Sequence, residues 1–473
     1  MQARESELNP FLKGNFAPWR MEGDAPDLEV VGELPRELHG TYFRNGPNQA
    51  FEPIGRYHWF DGDGMIHAIR IEDGRAHYRN RWVASEGLKE ERAAGRALYP
   101  GILEMGTTEA PRFKVTANTN TVFHAKRLLA LVESSLPTEL HPRTLETIGL
   151  YDFGGRLASA MTAHPKLDPV NGEMLFFGYS PFPPYLQYHV VDAAGALVHS
   201  EPIDMAWPSM IHDFAVTEHH AIFLLCPIVF DFEKIAANGS IFSWQPERGT
   251  RIGVMPRRGT SADVRWFETD PCYVFHPMNA YDEGDSIVLD VHRYERLQFM
   301  SPSSARNPNW RDEQVARLHR WRLDLAGGGV RSEVLDDHEG EFPRVDERLV
   351  GRKHRFGYFA AVGPEGNPTL QPEFTSVAKI DLDRGGRVEV RAHGAGNGCG
   401  EPVFVPRHEQ AAEDDGWVLY LAYDRERNAS ELVVVDAREF GREPVARVLM
   451  PHRVPYGFHG NWVGAPAGSS LGA

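Results

Sequence analysis

Met65–Val83 reads MIHAIRIEDGRAHYRNRWV. Apolar and polar residues alternate on both sides of Asp73-Gly74, the period of two that sends successive side chains to opposite faces of a strand. Asp-Gly at the midpoint suits a two-residue turn whose central residues need positive φ. The stretch therefore predicts a β-hairpin. The same pattern recurs along the chain, in NTVFHAKRLLALVE around Ala125-Lys126 and in LHRWRLDLAGGGVRSEVL around Gly327 to Gly329. It returns in KIDLDRGGRVEVRA around Gly385-Gly386 and in WVLYLAYDRERNASELVVVD around Arg425 to Ala429. Only Ser85 to Leu98, with Ser85 as N-cap and GLKEERAAGRAL behind it, reads as a helix, and its charges mark it as solvated. Hairpin after hairpin without a linker or a change of composition predicts one closed all-β assembly, a β-propeller. No repeat of about 40 residues stands out, so the blades must diverge and carry long insertions, material for a cover over one face.

Composition narrows the function. Lys+Arg 50 against Asp+Glu 66 gives a net charge of −16 over 473 residues, which disfavours nucleic acid as a partner. With 42% hydrophobic residues the chain is an ordinary globular protein rather than a disordered or fibrous one. Its longest apolar run, AIFLLCPIVF from Ala221 to Phe230, contains a proline and is half the roughly 20 residues a bilayer crossing requires. The N-terminus MQARESELNPFLKGNFAP carries acids and no apolar signal core, so a cytoplasmic location is the default expectation. Cys226, Cys272 and Cys399 are odd in number and far apart, offering neither a disulfide framework nor a thiolate metal knuckle. Any metal must be held by other ligands.

Four local motifs lead nowhere. Gly468-Ser469-Ser470-Leu471-Gly472 matches G-x-S-x-G but sits in the last residues, with no strand before it, and reads as a tail over 464–473. Asp61-Gly62-Asp63-Gly64 opens like a calcium loop, yet Ile66 stands where its sixth-position glycine belongs, so it reads as a tight turn. GAGNGCG, Gly394 to Gly400, has Cys399 in the last glycine position of a dinucleotide fingerprint and is followed by a strand-like EPVFVPR, so it reads as a loop. His219-His220 falls at a hairpin tip and reads as surface. Other histidines show no short metal-motif spacing. His164 in MTAHPKLDP, His212 in MIHDFAVT, His276 in YVFHPMNAYD and His459 in YGFHGNW each border an apolar run, where strand ends approach an interior. Any one of them taken alone is better read as a satisfied core histidine.

Taken jointly, these segments resemble the carotenoid cleavage oxygenase family, which includes apocarotenoid and stilbene-cleaving oxygenases. The resemblance covers about 9–463. It starts at NPFLKGNFAP and LPRELHGTYFRNGPN, continues through YHWFDGDGMIHAIRIEDG, NTNTVFHAKRLLALVESSLPTEL and the four histidine segments, and ends in GEPVFVPR, EDDGWVLYLAYD and VPYGFHGNW. It implies a seven-bladed propeller with a cover of loops and short helices, a single domain over 1–473. It also implies one non-haem Fe(2+) held by His164, His212, His276 and His459, with Glu133, Glu341 and Glu401 as acceptors behind the imidazoles. Successive ligands 48, 64 and 183 residues apart then require strands of different blades to converge.

The resemblance further implies a reaction: O2 cleaves one C=C bond of a carotenoid or apocarotenoid, giving two carbonyl products. No acid, base or nucleophile beyond the metal centre is needed. An apolar tunnel sets which bond is cut, and Phe60, Val132, Tyr179, Phe182, Tyr185 and Phe275 are its expected lining, chosen because they neighbour the ligand and acceptor segments. Within the family the stilbene-cleaving branch carries a lysine immediately before the glutamate at Glu133; here Val132 stands there, which favours a polyene, with Lys126 or a tyrosine as substitute grips for a phenol. A stilbene or phenylpropanoid alkene is the alternative substrate, and a metal-free binding propeller the alternative of another class. An apolar substrate implies a peripheral membrane contact, expected at Leu98 to Leu103 or at Ile228 to Ile235. No protein partner is expected.

Overall fold

The computed structural model of the chain describes residues 9–104, 113–234, 241–297, 315–363, 374–394 and 396–465. The tail beyond 465, with its G-x-S-x-G motif, lies outside them. All five predicted hairpins form. Asp63–Glu72 pairs antiparallel with Arg75–Trp82, and the intervening Asp73 and Gly74 take φ of 52° and 76°. Asn120–His124 pairs with Arg127–Leu131 across Ala125 and Lys126, again both at positive φ. The others join Ala316–Asp324 to Val330–Asp336, Ser376–Asp381 to Arg387–Ala392, and Gly416–Asp424 to Ala429–Asp436.

The helix runs Glu86–Ala94, capped by Ser85 Oγ and stopped by Gly95 at φ 67°, short of the expected Leu98. One of its charges departs from the solvated reading. Glu91 is buried and bonds Lys114 Nζ at 2.6 Å, and the same ammonium lies 2.6 Å from buried Asp63. Asp61 accepts from the backbone N–H groups of His58 and Ile102. The two aspartates of the calcium-like run thus serve local structure.

The chain divides into two compact units. The first comprises Met1–Tyr151, Val362–Ala378 and Glu389–Ala473. It holds a five-stranded sheet in which the last described strand, Gly460–Gly464, pairs with Gly40–Asn48. It also holds the four-stranded sheet from Asn120–His124 to Thr147–Leu150, and a six-stranded sheet built on Gly416–Asp424 and Ala429–Asp436. The second unit comprises Asp152–Ala361 and Lys379–Val388. Three of its four-stranded sheets start at Lys166–Leu167, Ala215–Val216 and Tyr273–Glu283. Another sheet runs Gly340–Arg344, Phe356–Ala361, Ser376–Asp381, Arg387–Ala392. These are seven antiparallel sheets of four or more strands among the described residues, the blades of a seven-bladed β-propeller. AIFLLCPIVF is divided by Pro227 into strands His220–Leu225 and Ile228–Phe230, and no described helix is long and apolar enough to cross a membrane.

Each unit is packed on alternate strand residues. Ile222, Leu224, Ile252, Leu289 and Trp321 share one cluster of the second unit; Tyr42, Ile69, Trp417 and Leu432 share one of the first. Several histidines are sealed in with them. Burial lowers His189, His292 and His354 from the usual 6.5 to about 4, and His67 to about 3. Protons therefore bind the unfolded chain first, and stability drains away as pH falls from about 6.5 toward 4. His292 is fully buried against the Phe359 ring, and neither ring nitrogen has a hydrogen-bond partner. One such histidine withdraws about 2 kcal/mol by pH 5. Thermal melts of His292→Leu should give a Tm at pH 7.5 equal to or above the wild type and a shallower loss between pH 7 and 5. An acid slope identical to that of the wild type would refute the assignment.

Candidate metal centre

His164 lies two residues before Lys166–Leu167, His212 three before Ala215–Val216, and His276 inside Tyr273–Glu283. Each is thus carried at or in the opening strand of a sheet. Two local features hold the His164 segment in place. Thr162 N–H donates to Phe177 O at 2.6 Å, and a Cβ on Gly178 would collide with the Ala160 carbonyl, so glycine admits the close approach. At His276 the ladder register shifts between Val274 and Pro277, turning the side chain out of regular alternation. His459 directly precedes Gly460–Gly464.

The Nε2 atoms of His164 and His212 are 3.0 Å apart, and those of His212 and His276 are 3.2 Å apart. Ligand atoms of His164, His212, His276 and His459 all lie within 4.8 Å of one another, and all four residues are buried. Around an ion held at about 2.1 Å, nitrogens at right angles are about 3.0 Å apart and at the tetrahedral angle about 3.4 Å. The observed spacings match neighbouring positions of one coordination shell. The donor set is wholly imidazole, which suits a first-row transition metal, and the cysteines Cys226, Cys272 and Cys399 are not in the group.

Carboxylates fix two of these rings. His276 Nδ1 bonds Glu341 Oε2 at 2.6 Å, and Phe342 N–H donates to the same oxygen at 2.6 Å. His459 Nδ1 bonds Glu401 Oε1 at 3.0 Å, while Gly460 N–H donates to Oε2 at 2.8 Å. With the proton held on Nδ1, Nε2 presents its lone pair. Burial pushes the Glu341 carboxyl up, but the facing His276 and its hydrogen bond outweigh that and leave it below the usual value. Glu133 is half-buried just beyond Arg127–Leu131.

The expected tunnel residues differ in burial and in what they touch. Phe275 packs its ring 5.3 Å from that of His212. Tyr179 is half-buried beside Phe177 and Phe230, Phe60 packs on Phe458, and Val132 and Tyr185 are half-buried. Phe182 is 64% exposed and stacks on Phe232, itself 46% exposed, so it stands at the surface rather than among interior side chains. Lys126 is exposed in the turn at the opposite end of Arg127–Leu131 from Val132. Six residues of extended chain put it about 20 Å from Val132, which removes it as a substitute grip there. Ile228–Phe230, expected as non-strand, pairs with Phe242–Trp244, and Ile228 and Val229 are buried; Ile235 lies outside the described residues. Leu98, Ile102 and Leu103 are half-buried. His219 is exposed, whereas His220 bonds Asp282 at 2.9 Å.

Sequence reading missed Asp213 and Lys166. Asp213 Oδ1 lies 2.8 Å from Lys166 Nζ, and Oδ2 lies 3.9 Å from His164 Nδ1. The available signal was an acid one residue after His212 and a base two after His164.

The family model described as retinal pigment epithelial membrane protein matches residues 16–464. Carotenoid 9,10(9',10')-cleavage dioxygenase 1 of Arabidopsis thaliana is 38% identical over 96% of this chain and 89% of its own. The isoeugenol monooxygenase of Pseudomonas nitroreducens is 35% identical over 98% of this chain and 100% of its own. The crystal structure of the Pseudomonas brassicacearum lignostilbene dioxygenase superposes with a TM-score of 0.91 at 33% identity, covering 97% of this chain and 99% of that one. All three are named as oxygenases. With the family model matched over nearly its whole length and such relatives covered almost end to end, the chain belongs to the retinal pigment epithelial membrane protein family.

Proposed function

We propose that the chain is a non-haem Fe(II) oxygenase cleaving a C=C bond of a carotenoid or apocarotenoid with O2 to two carbonyl products. His164, His212, His276 and His459 hold the ion, and Glu133, Glu341 and Glu401 stand behind them. One observation carries this reading: four buried imidazoles bring ligand nitrogens within 4.8 Å, and two have Nδ1 committed to a carboxylate. Ferrous iron bound there supplies open positions for O2 and the electrons that activate it. Glu341 and Glu401 keep the protons of His276 and His459 on Nδ1, leaving the facing nitrogens unprotonated. Phe275 and Phe342, packed on the rings of His212 and His276, surround the centre with apolar area suited to a neutral alkene. An alkene and O2 balance against two carbonyls without a reductant, so the side chains have only to bind and orient.

The aryl-alkene alternative keeps its weight from relatives named for isoeugenol and lignostilbene. Val132, apolar directly before Glu133, favours the polyene. The purified chain should carry about one iron and consume O2 with an apocarotenoid, and His276→Ala should abolish both. Bound calcium, or no transition metal after reconstitution, would overturn the assignment. Against a hydroxystilbene, kcat/KM should favour the apocarotenoid at least about tenfold, a difference of about 1.4 kcal/mol in barrier, and Val132→Lys should narrow that ratio. A wild-type preference for the hydroxystilbene would select the aryl-alkene reading.

Such substrates partition into bilayers, and the stacked pair Phe182 and Phe232 is an exposed aromatic patch suited to touch one. Phe230 is a poorer probe, since it packs on Phe242 and Tyr179. Phe182→Ser with Phe232→Ser should lower cosedimentation with liposomes several-fold and leave turnover of detergent-dispersed substrate near wild type. Unchanged cosedimentation would remove the patch from the proposal.

A further inference from the structure

His164 Nε2 faces His212 Nε2 at 3.0 Å, so its Nδ1 faces away. On that side stands the carboxylate of Asp213, whose side chain is 3% exposed. Its two oxygens have different surroundings. Oδ1 lies 2.8 Å from Lys166 Nζ and accepts from Phe214 N–H at 2.7 Å. Oδ2 faces His164 Nδ1 at 3.9 Å. That distance is too long for a hydrogen bond, but buried opposite partial charges at this range attract strongly because little solvent screens them.

The consequence is a choice of tautomer. An imidazole that ligates through Nε2 must carry its proton on Nδ1, and an anion on the Nδ1 side favours that form. Glu341 and Glu401 do this for His276 and His459 through direct hydrogen bonds. Asp213 has the geometry to do it for His164 through space. It also ties two ligand-bearing segments together, being next to His212 in the chain and ion-paired to a residue two beyond His164. Thr162 adds to the tie, donating from Oγ1 to His212 O at 3.3 Å and accepting His164 N–H at 3.1 Å.

We propose that Asp213, held by Lys166, is a positioning residue for His164, orienting its imidazole and keeping its proton on Nδ1. This rests on the reading of the four histidines as a metal site. The test uses the full chain, stripped of metal and reconstituted with Co(II), whose visible absorption reports the ligand field independently of turnover. Wild type, Asp213→Ala and Asp213→Asn are compared for that spectrum and for the rate of cobalt loss to a chelator. Asp213→Ala should shift the cobalt bands and release metal about 10- to 100-fold faster. Asp213→Asn, which keeps an acceptor oxygen and the shape but not the charge, should fall between. A role confined to the ion pair would lower the metal-free Tm of both variants and leave spectrum and release rate at wild-type values, which would overturn the inference. A wild-type chain that takes up no cobalt and no iron would instead overturn the metal reading itself, and this inference with it. If Asp213→Ala does not fold, the isosteric Asp213→Asn decides alone: a wild-type spectrum and release rate in it overturn the proposal.

Discussion

Imidazoles can turn their Nε2 lone pairs toward one point only if every ring keeps its proton on the far nitrogen. At 3.0 and 3.2 Å between nitrogens, two facing lone pairs repel, and one misplaced proton would bridge two rings and take the place of an ion. Behind His276 and His459, carboxylates hold the ring proton on Nδ1. Burying a carboxylate is costly unless donors reach it, and Glu341 and Glu401 each receive two, an imidazole N–H and a backbone N–H beside it, both on Oε2 at Glu341 and one on each oxygen at Glu401. At Glu341 the backbone is bent to serve that purpose. Phe342 holds φ 56° where the ladder register shifts between Glu341 and Arg344, an unfavourable conformation for a side chain with a Cβ. Its return is a 2.6 Å hydrogen bond into the carboxylate and a ring stacked on His276.

Strand openings are the natural carriers of such a group, because a residue at the start of a ladder is not committed to alternation and can be aimed. His164, His212 and His276 use that freedom in three sheets. His459 is placed by two segments far apart in sequence that meet in the first unit. Its carbonyl accepts Asn45 N–H at 3.0 Å, and Gly46 and Gly457 approach so closely that a Cβ on Gly46 would stand 2.5 Å from Gly457 Cα. The C-terminal strand that follows then zips onto Gly40–Asn48.

What could be read from the sequence follows from how local each determinant is. Hairpins depend on a period of two, helped in four of the five by Asp, Asn or Gly in the turn; the fifth, at Ala125-Lys126, was readable from its alternation alone. The helix was readable at its cap, but not the burial of Glu91, which depends on Lys114, 23 residues away. The histidines were not separable by spacing, since the ladders that bring them together are long-range; only the joint order of motifs singled out His164, His212, His276 and His459. Phe182 misled because an aromatic beside a site segment looks the same in sequence whether it faces in or out. Ile228–Phe230 looked irregular because Pro227 interrupts the run, yet the chain resumes as a separate two-stranded ribbon. Asp213 was hidden by its neighbour, a charge that reads as solvent-facing until Lys166 and His164 are seen around it.

The surroundings of the imidazoles bear on which alkene they serve. Phe275 meets His212 edge-on and is flanked by Tyr273 and Tyr294, and Phe342 lies over His276. A neutral conjugated chain laid against such rings exchanges water for aromatic contact and gains at every carbon it buries. A phenolate entering the same surroundings must bring or find a cation, since an unpaired buried charge costs far more than its contacts return. The hairpin before Glu133 has a lysine, but it is spent in the exposed turn at the wrong end of the strand. The side-chain chemistry around these imidazoles thus favours a substrate recognised by length and shape over one recognised by an anionic oxygen.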